Sequence, residues 1–364
     1  MTTAAPSFEA ALRRDFAAQR EFLWGLCYRM TGSAADAEDL VQDTFERALR
    51  HPPNDTERSL RPWLSRVAIN LSCDHLRRRK LTPYRGTWLP EPVPTDTLLA
   101  AVPEHVGAEA RYDLLESATF AFLLALEALS PAQRAVLLLR DVFDYSVRET
   151  AEALELSEPN VKTTLHRARQ AMSTYDARRC IPTPALRRKT QAVLRRFMTH
   201  LATDNVRAIE ALLREDVVAL NDPGKEFVAA RKPVVGRAKV AFFHRKIARF
   251  IDKNPRFAIR DLNGLPALIF EYQPLRTDFG PRQVLRVELD ELGRIRELHT
   301  VLATDKLRSV SFTGLRAIGL LQRLTAEGIR GALTRMQPRS KRLSRHIQVH
   351  PRSRVRRKEG TEKA

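Results

Sequence analysis

The sequence predicts a multidomain chain, an all-α N-terminal half followed by an α+β domain. Three observations carry this. Over residues 8–80 and 118–175 apolar positions recur with the helical period, and capping residues stand at the segment starts. After "RRCIPTP" the period drops toward two, with Gly and Pro between segments, as strands require. Between the helical blocks, residues 81–117 turn to proline and small residues and read as a linker ordered in places. A chain of 364 residues has room for two or three separately cored domains.

The elements follow in order. A first helix containing "FLWGLCYRM" ends at Thr31-Gly32. Ser33 with Asp36 three residues on reads as a capping box. The second helix, "SAADAEDLVQDTFERALR", is expected to turn Leu40, Val41, Phe45 and Leu49 inward and a row of carboxylates outward. "HPPND" breaks it, and "RPWLSRVAINLSCDHLRRRK" forms a third helix with Pro62 tolerated in its first turn. Helices resume at "ATFAFLLALEAL". Ser130 with Gln133 and Ser146 with Glu149 mark two further capped starts, and Ser157 a third. Three capped helices in about 45 residues, the last two joined by a tight turn at Glu155–Leu156, match a helix-turn-helix layout.

The last of these helices, "SEPNVKTTLHRARQAM", spaces Val161, Leu165, Ala168 and Met172 as one buried stripe. Lys162, Thr163, His166 and Arg167 fall on the opposite face, where they can meet phosphates and base edges. A solvated basic face is the plain alternative. The pattern does not separate a repressor, a ligand-gated regulator and a polymerase subunit. Composition narrows the class. A net charge of +19 suits a polyanionic partner, yet residues 1–180 sum to about −2, so about +21 lies in the second half. Three scattered cysteines without metal-ligand spacing fit a reducing compartment. The sequence shows no signal-peptide pattern and no membrane-length apolar run, so a cytoplasmic protein with no membrane partner is expected.

Two blocks decide among the classes. "GSAADAEDLVQDTFERAL" with "LRPWLSRVAINLSCDHLRRRK", and then "LSPAQRAVLLLRDVFDYSVRETAEALELSEPNVKTTLHRARQAM", resemble the sigma-70 superfamily in its compact extracytoplasmic-function branch. The resemblance implies a region 2-like domain at 8–80, a linker at 81–117 and a region 4-like domain at 118–178. It implies that Asp36, Glu38, Asp39, Gln42 and Asp43 dock on a coiled coil of the largest subunit of core RNA polymerase, with the second-largest subunit's flap a further partner. Carboxylates on one helix face suit such docking, since complementary charge speeds encounter. It implies that Asn70, Asp74, Arg77, Arg78 and Arg79 open and read the −10 element of promoter DNA. An amide can pair with an unstacked base and arginines can hold its phosphates. Trp63 offers a stacking platform or a core side chain. Lys162, Thr163, His166 and Arg167 would read the −35 element as duplex.

Beyond "RRCIPTP", helical residues 187–215 precede segments of period two, "VVALND", "FVAA", "RFAIRDL", "ALIFEY", "VLRVELD" and "RIRELHTVLA", interrupted by the helix "GRAKVAFFHRKIARFI". A curved antiparallel sheet with helices, an α+β domain over 187–308, is expected. It resembles the SnoaL-like cone fused to a subgroup of these sigma factors. "YRGTWLPEP" (84–92) resembles that subgroup's linker motif, and "ATDKL" (303–307) its terminal Asn-Pro-Asp-Lys-Leu. "NDPGK", with Asn221, Asp222, Gly224 and Lys225, stands where the subgroup has a Gly-rich regulatory turn. The resemblance implies an intramolecular contact between cone and sigma domains.

His244, Asp216, Asp222, Glu271 and His299 are the candidates for proton-transfer chemistry. None forms a recognisable pair by spacing, so no catalytic site, metal or cofactor is expected, and the chain reads as a sigma factor rather than an enzyme. The rival reading is a helix-turn-helix regulator whose cone senses a ligand without engaging polymerase. Residues 309–364 are expected to hold a helix and a basic tail of about +9 from Gly331 onward, which would strengthen binding to promoter DNA.

Overall fold

The computed structural model describes residues 8–53, 60–81, 84, 86–100, 107–251 and 255–317. The basic tail lies outside the described residues. Three long helices come first: α1 (Phe8–Thr31), α2 (Ala34–Arg50) and α3 (Arg61–Leu81). Ser33 caps α2 by accepting from the Asp36 amide at 3.1 Å. The return half of the expected box is replaced. The Asp36 carboxylate meets His75 at 3.2 Å, and the free amides of Ala34 and Ala35 go to Glu91 of the linker. Leu49 does not turn inward as expected but is 55% exposed. The buried stripe of α2 runs Ala37, Leu40, Val41, Thr44, Phe45 and Ala48, and Leu49 sits one position past its edge.

The linker is threaded rather than loose. Leu89, Glu91, Val93 and Thr95 are buried, and two helices form within it, α4 (Thr95–Ala100) and α5 (Ala108–Glu116). Next come α6 (Phe120–Ala125) and α7 (Pro131–Leu137), which widens into a π-turn at Leu138–Val142. The pair α8 (Val147–Leu154) and α9 (Glu158–Asp176) completes the helix-turn-helix. Both expected capping boxes form, Ser130 with Gln133 and Ser146 with Glu149. The turn is made by Glu155 at φ 54°, a left-handed residue. Helices α1–α3 and α6–α9 share one core, in which Leu23, Leu26, Leu64 and Ile69 join Leu126, Leu138 and Val161.

The second half packs α10 (Pro184–Ala202), α11 (Val206–Leu212) and α12 (Arg237–Ala248) against one sheet. Its strands are β1 (Leu213–Asp222), β2 (Val234–Val235), β3 (Arg256–Leu262), β4 (Leu265–Glu271), β5 (Arg282–Leu289), β6 (Ile295–Val301) and β7 (Arg316–Ala317), in the order β2-β1-β6-β5-β4-β3-β7. The α+β class is as expected, with two corrections. The sheet is not wholly antiparallel, because β1 runs parallel to β6. The meander and α12 lie between them and supply the long connection a parallel pair needs. "FVAA" is not a strand; Val228 donates to Asp278 O at 2.8 Å across two loops, and β2 forms later, at Val234–Val235.

Both faces of this sheet are covered. Phe270, Leu285 and Thr300 point to the concave side with Phe197 of α10 and His244 of α12. Ile269, Val284 and Val301 point the other way, onto Leu89 of the linker and Phe120 of α6. Hence β4 is almost wholly buried, although a one-faced antiparallel strand would alternate. No helix among the described residues is long and apolar enough to cross a membrane.

Candidate nucleic-acid interface

The α9 face is open. Lys162, Thr163, His166 and Arg167 are all exposed, while Val161, Leu165, Ala168, Met172 and Tyr175 anchor the opposite side. Thr163 spends its hydroxyl proton on Pro159 O at 2.9 Å. Arg169, on the flank, forks onto Asp141 of the π-turn at 3.0 and 2.7 Å, fixing the helix against its neighbour.

The α3 surface divides. Asn70, Asp74, Arg77, Arg78 and Lys80 are exposed, and Arg77 pairs with Asp74 at 2.6 Å, a contact water screens well. Arg79 is different. It donates through Nη1 to Thr31 O at 2.8 Å and through Nη2 to both Glu127 carboxylate oxygens at 2.9 and 2.7 Å, and lies 4.5 Å from the Trp88 ring centre. Arg134, buried, joins the same Glu127 and also caps Met30 O at 2.6 Å. Two arginines thus tie the end of α1 to the turn before α7. Trp63 is half-buried against the shared core.

On α2, Glu38, Asp39, Gln42 and Asp43 are exposed, with Glu38 paired to Arg20 of α1. Asp36 is half-buried. Burial raises its pKa, but hydrogen bonds from His75 and Ser33 outweigh that and hold the carboxyl below its ordinary range.

Three stretches far apart in sequence meet at Asp222, which is fully buried. Its carboxylate accepts from the Tyr84 hydroxyl, from Leu89 N at 2.9 Å, from Lys306 Nζ at 2.7 Å and from Gly224 N at 3.1 Å. The Lys306 ammonium also donates to Leu89 O at 2.6 Å and sits 5.0 and 4.6 Å from the rings of Tyr84 and Trp88. Burial pulls Lys306 below the usual lysine range, while Asp222 acts to keep it charged. The Tyr84 hydroxyl is pushed far up, by burial first and then by the adjoining carboxylate. Gly32, at φ +72°, leaves room for the edge of the Trp88 ring at the end of α1. A Cβ there would stand 2.5 Å from the ring. Of the expected regulatory turn, Asp222 and Gly224 belong to this junction; Lys225 is exposed and Asn221 faces the concave side.

Two more anchors flank it. Buried Glu91 receives Ala34 N, Ala35 N and Ser33 Oγ at 2.8, 3.2 and 3.3 Å, and Ser309 Oγ at 3.0 Å. The linker therefore adds a second acidic side chain, beside Asp36, to the start of α2. Asn263, in the left-handed β3–β4 turn at φ 50°, donates to Tyr28 Oη and Ala118 O at 2.6 and 2.8 Å and accepts from Val93 N at 3.0 Å. One side chain of the sheet domain thus touches α1, the linker and the approach to α6.

The candidates for proton transfer do not converge. Asp216 pairs with Arg214, and Glu271 with Arg256 and Arg282. His244 is buried on α12, while buried His299 contacts Glu297 at 3.1 Å on the opposite face of the sheet, beside Phe120. That last pair was not legible as a pair in the sequence, since Glu297 was not among the candidates.

Comparison with known proteins agrees with this arrangement. Sigma-70 region 2 matches residues 16–82, and sigma-70 region 4 matches residues 119–172. The ECF RNA polymerase sigma factor SigJ of Mycobacterium tuberculosis is 34% identical over 237 residues, covering 63% of this chain and 70% of that protein. SigG of the same species is 40% identical over 186 residues, covering 44% of this chain and 49% of SigG. The crystal structure of M. tuberculosis SigJ superposes with a TM-score of 0.62 at 27% identity, covering 82% of this chain and 98% of that one. With both sigma regions in order, the same fused sheet domain and this degree of identity, the chain belongs to the extracytoplasmic-function family of RNA polymerase sigma factors.

Proposed function

We propose that this sigma factor is held closed by its own C-terminal domain, with the Asp222–Lys306 junction as the latch. In this reading residues 8–80 bind core polymerase and the −10 element, 118–178 read the −35 element, and 187–308 form the regulatory cone. Glu38, Asp39, Gln42 and Asp43 dock on the coiled coil of the largest subunit, with Asp36, paired to His75, at the edge of the same face, and the 118–178 block meets the flap of the second-largest. Asn70, Asp74, Arg77 and Arg78 act on the opened −10 strand, while Lys162, Thr163, His166 and Arg167 act on duplex. Arg79 is assigned to the latch instead, because its guanidinium is committed to Glu127 and Trp88. Working beside cytoplasmic polymerase follows from the same role.

The single observation that carries the reading is the junction itself. Asp222 and Lys306 grip the linker from Tyr84 to Leu89, and that linker joins the two blocks that must separate to span a promoter. Run-off transcription with purified core polymerase tests it. Wild type should start specific transcripts where core alone does not. Lys306→Met should raise their yield at equal occupancy of core, and Lys162→Ala with Arg167→Ala should lower it. An unchanged or lower yield from Lys306→Met, with core still bound, removes the latch. Failure of every variant to join core would return the exposed acids of α2 to a solvated face.

A further inference from the structure

The concave side of the sheet encloses a cavity of about 70 Å³ between β1, β4, β5, β6 and helices α10 and α12. One ordered water needs roughly 10–15 Å³ of such space, so there is room for more than a trapped solvent molecule. The walls are Phe197, Phe243, Ile247, Phe270, Phe279 and their neighbours, and none of the described residues lining it is charged.

Five polar side chains break the apolar lining, Asn221, His244, Tyr272, Gln283 and Thr300, and the first two have opposite character. Asn221 is 3% exposed, and its Nδ2 has no hydrogen-bond partner. A buried donor left unmatched costs about 1–3 kcal/mol, so an amide kept here calls for an acceptor from outside the chain. His244 contacts Val240 O through Nδ1 at 2.9 Å. A carbonyl can only accept, so Nδ1 carries the proton and Nε2 is left as a lone-pair acceptor. Burial lowers the pKa of this ring and keeps it neutral.

We propose that the cone binds a neutral, largely apolar small molecule through a carbonyl or hydroxyl oxygen that Asn221 Nδ2 donates to, with His244 available to a hydroxyl proton. Apolar walls with a few placed polar groups are the usual make-up of such sites. Charged analogues are refused, because nothing in the lining would offset the loss of their hydration. The site is separate from the latch but adjoins it. Successive residues of a strand face opposite sides, so Asn221 looks into the cavity while Asp222 looks onto the linker.

The test uses the full-length protein and two fluorinated probes read by fluorine NMR line broadening, 4-fluoroacetophenone (neutral, one carbonyl) and 4-fluorobenzoate (same ring, anionic). The ketone should bind saturably and the carboxylate should not. Asn221→Leu should weaken ketone binding about five- to tenfold, the worth of one hydrogen bond, without lowering the melting temperature, since it removes an unmatched group. Ala229→Phe, at the half-buried rim, should block binding by filling space and leaves the strands untouched. The proposal is overturned if the ketone does not bind saturably or the carboxylate binds as well. It is equally overturned if both variants bind the ketone like wild type, or if Asn221→Leu lowers the melting temperature. None of these readouts involves polymerase, so they stand or fall apart from the latch.

Discussion

Two basic helix faces of the described residues, on α9 and at the end of α3, look alike in sequence and are placed differently in the fold. On α9 the four side chains of the polar face stand clear of the core. At the end of α3 the run Arg77-Arg78-Arg79-Lys80 is split: two arginines and the lysine lie in solvent, while Arg79 bridges α1, the linker and the approach to α7. The lesson is that a run of like charges on a helix is not one functional unit. Position around the axis decides which member meets water and which meets protein.

The largest expected effect is at the latch. Lys306→Met strips the buried carboxylate of Asp222 of its counter-charge, and breaking one side of such a pair typically costs about 3–5 kcal/mol. Denaturant unfolding should show a loss of that size, and cleavage of the 81–93 stretch by added protease should speed up. Next comes Gly32→Ala, which combines left-handed strain of about 1–2 kcal/mol with a collision against Trp88. It should shift tryptophan emission as well as stability.

Arg79→Ala and Arg78→Ala sharpen the comparison directly. The first loses a charge-assisted contact and should destabilise by about 1.5–3 kcal/mol; the second should be near neutral in stability. Equal effects from the two would erase the distinction drawn between them. Smaller still in stability is Lys162→Ala with Arg167→Ala on α9, where folding should hold. Each lost phosphate contact should instead flatten the salt dependence of promoter binding by a slope of about 0.9, read from binding isotherms at several salt concentrations.

Much of the helical half was legible because its signals are local. Capping residues and a stripe at spacings of three and four specify α7, α8 and α9 without reference to anything distant. The inward setting of Arg79 follows from the same rule. Ser72, Leu76 and Arg79 fall at spacings of four and three along the buried side of α3, so the stripe itself passes through the arginine. Leu49 erred the other way, apolar in type but one step off the stripe. The junction left no local trace. Tyr84, Asp222 and Lys306 lie in separate stretches, and nothing periodic in a sequence says that a carboxylate will find its partners 138 residues before it and 84 after it. The parallel pairing of β1 with β6 was hidden for a similar reason, because strand pattern reports faces and not partners.

The double covering of the sheet has a consequence for solubility. Ile269, Val284 and Val301 are kept from water by Leu89 and Phe120, which belong to the linker and to the start of the helix-turn-helix block. Were the sheet domain to swing away whole, a greasy patch on each part would be laid bare, and opened molecules would tend to associate. A hinge that left Leu89 and Phe120 in place and freed α1–α3 would keep this patch covered but would open the core that α1–α3 share with α6–α9. On that route the sheet domain would travel with the region 4 block as its passenger, and the region 2 block would be the part that moves.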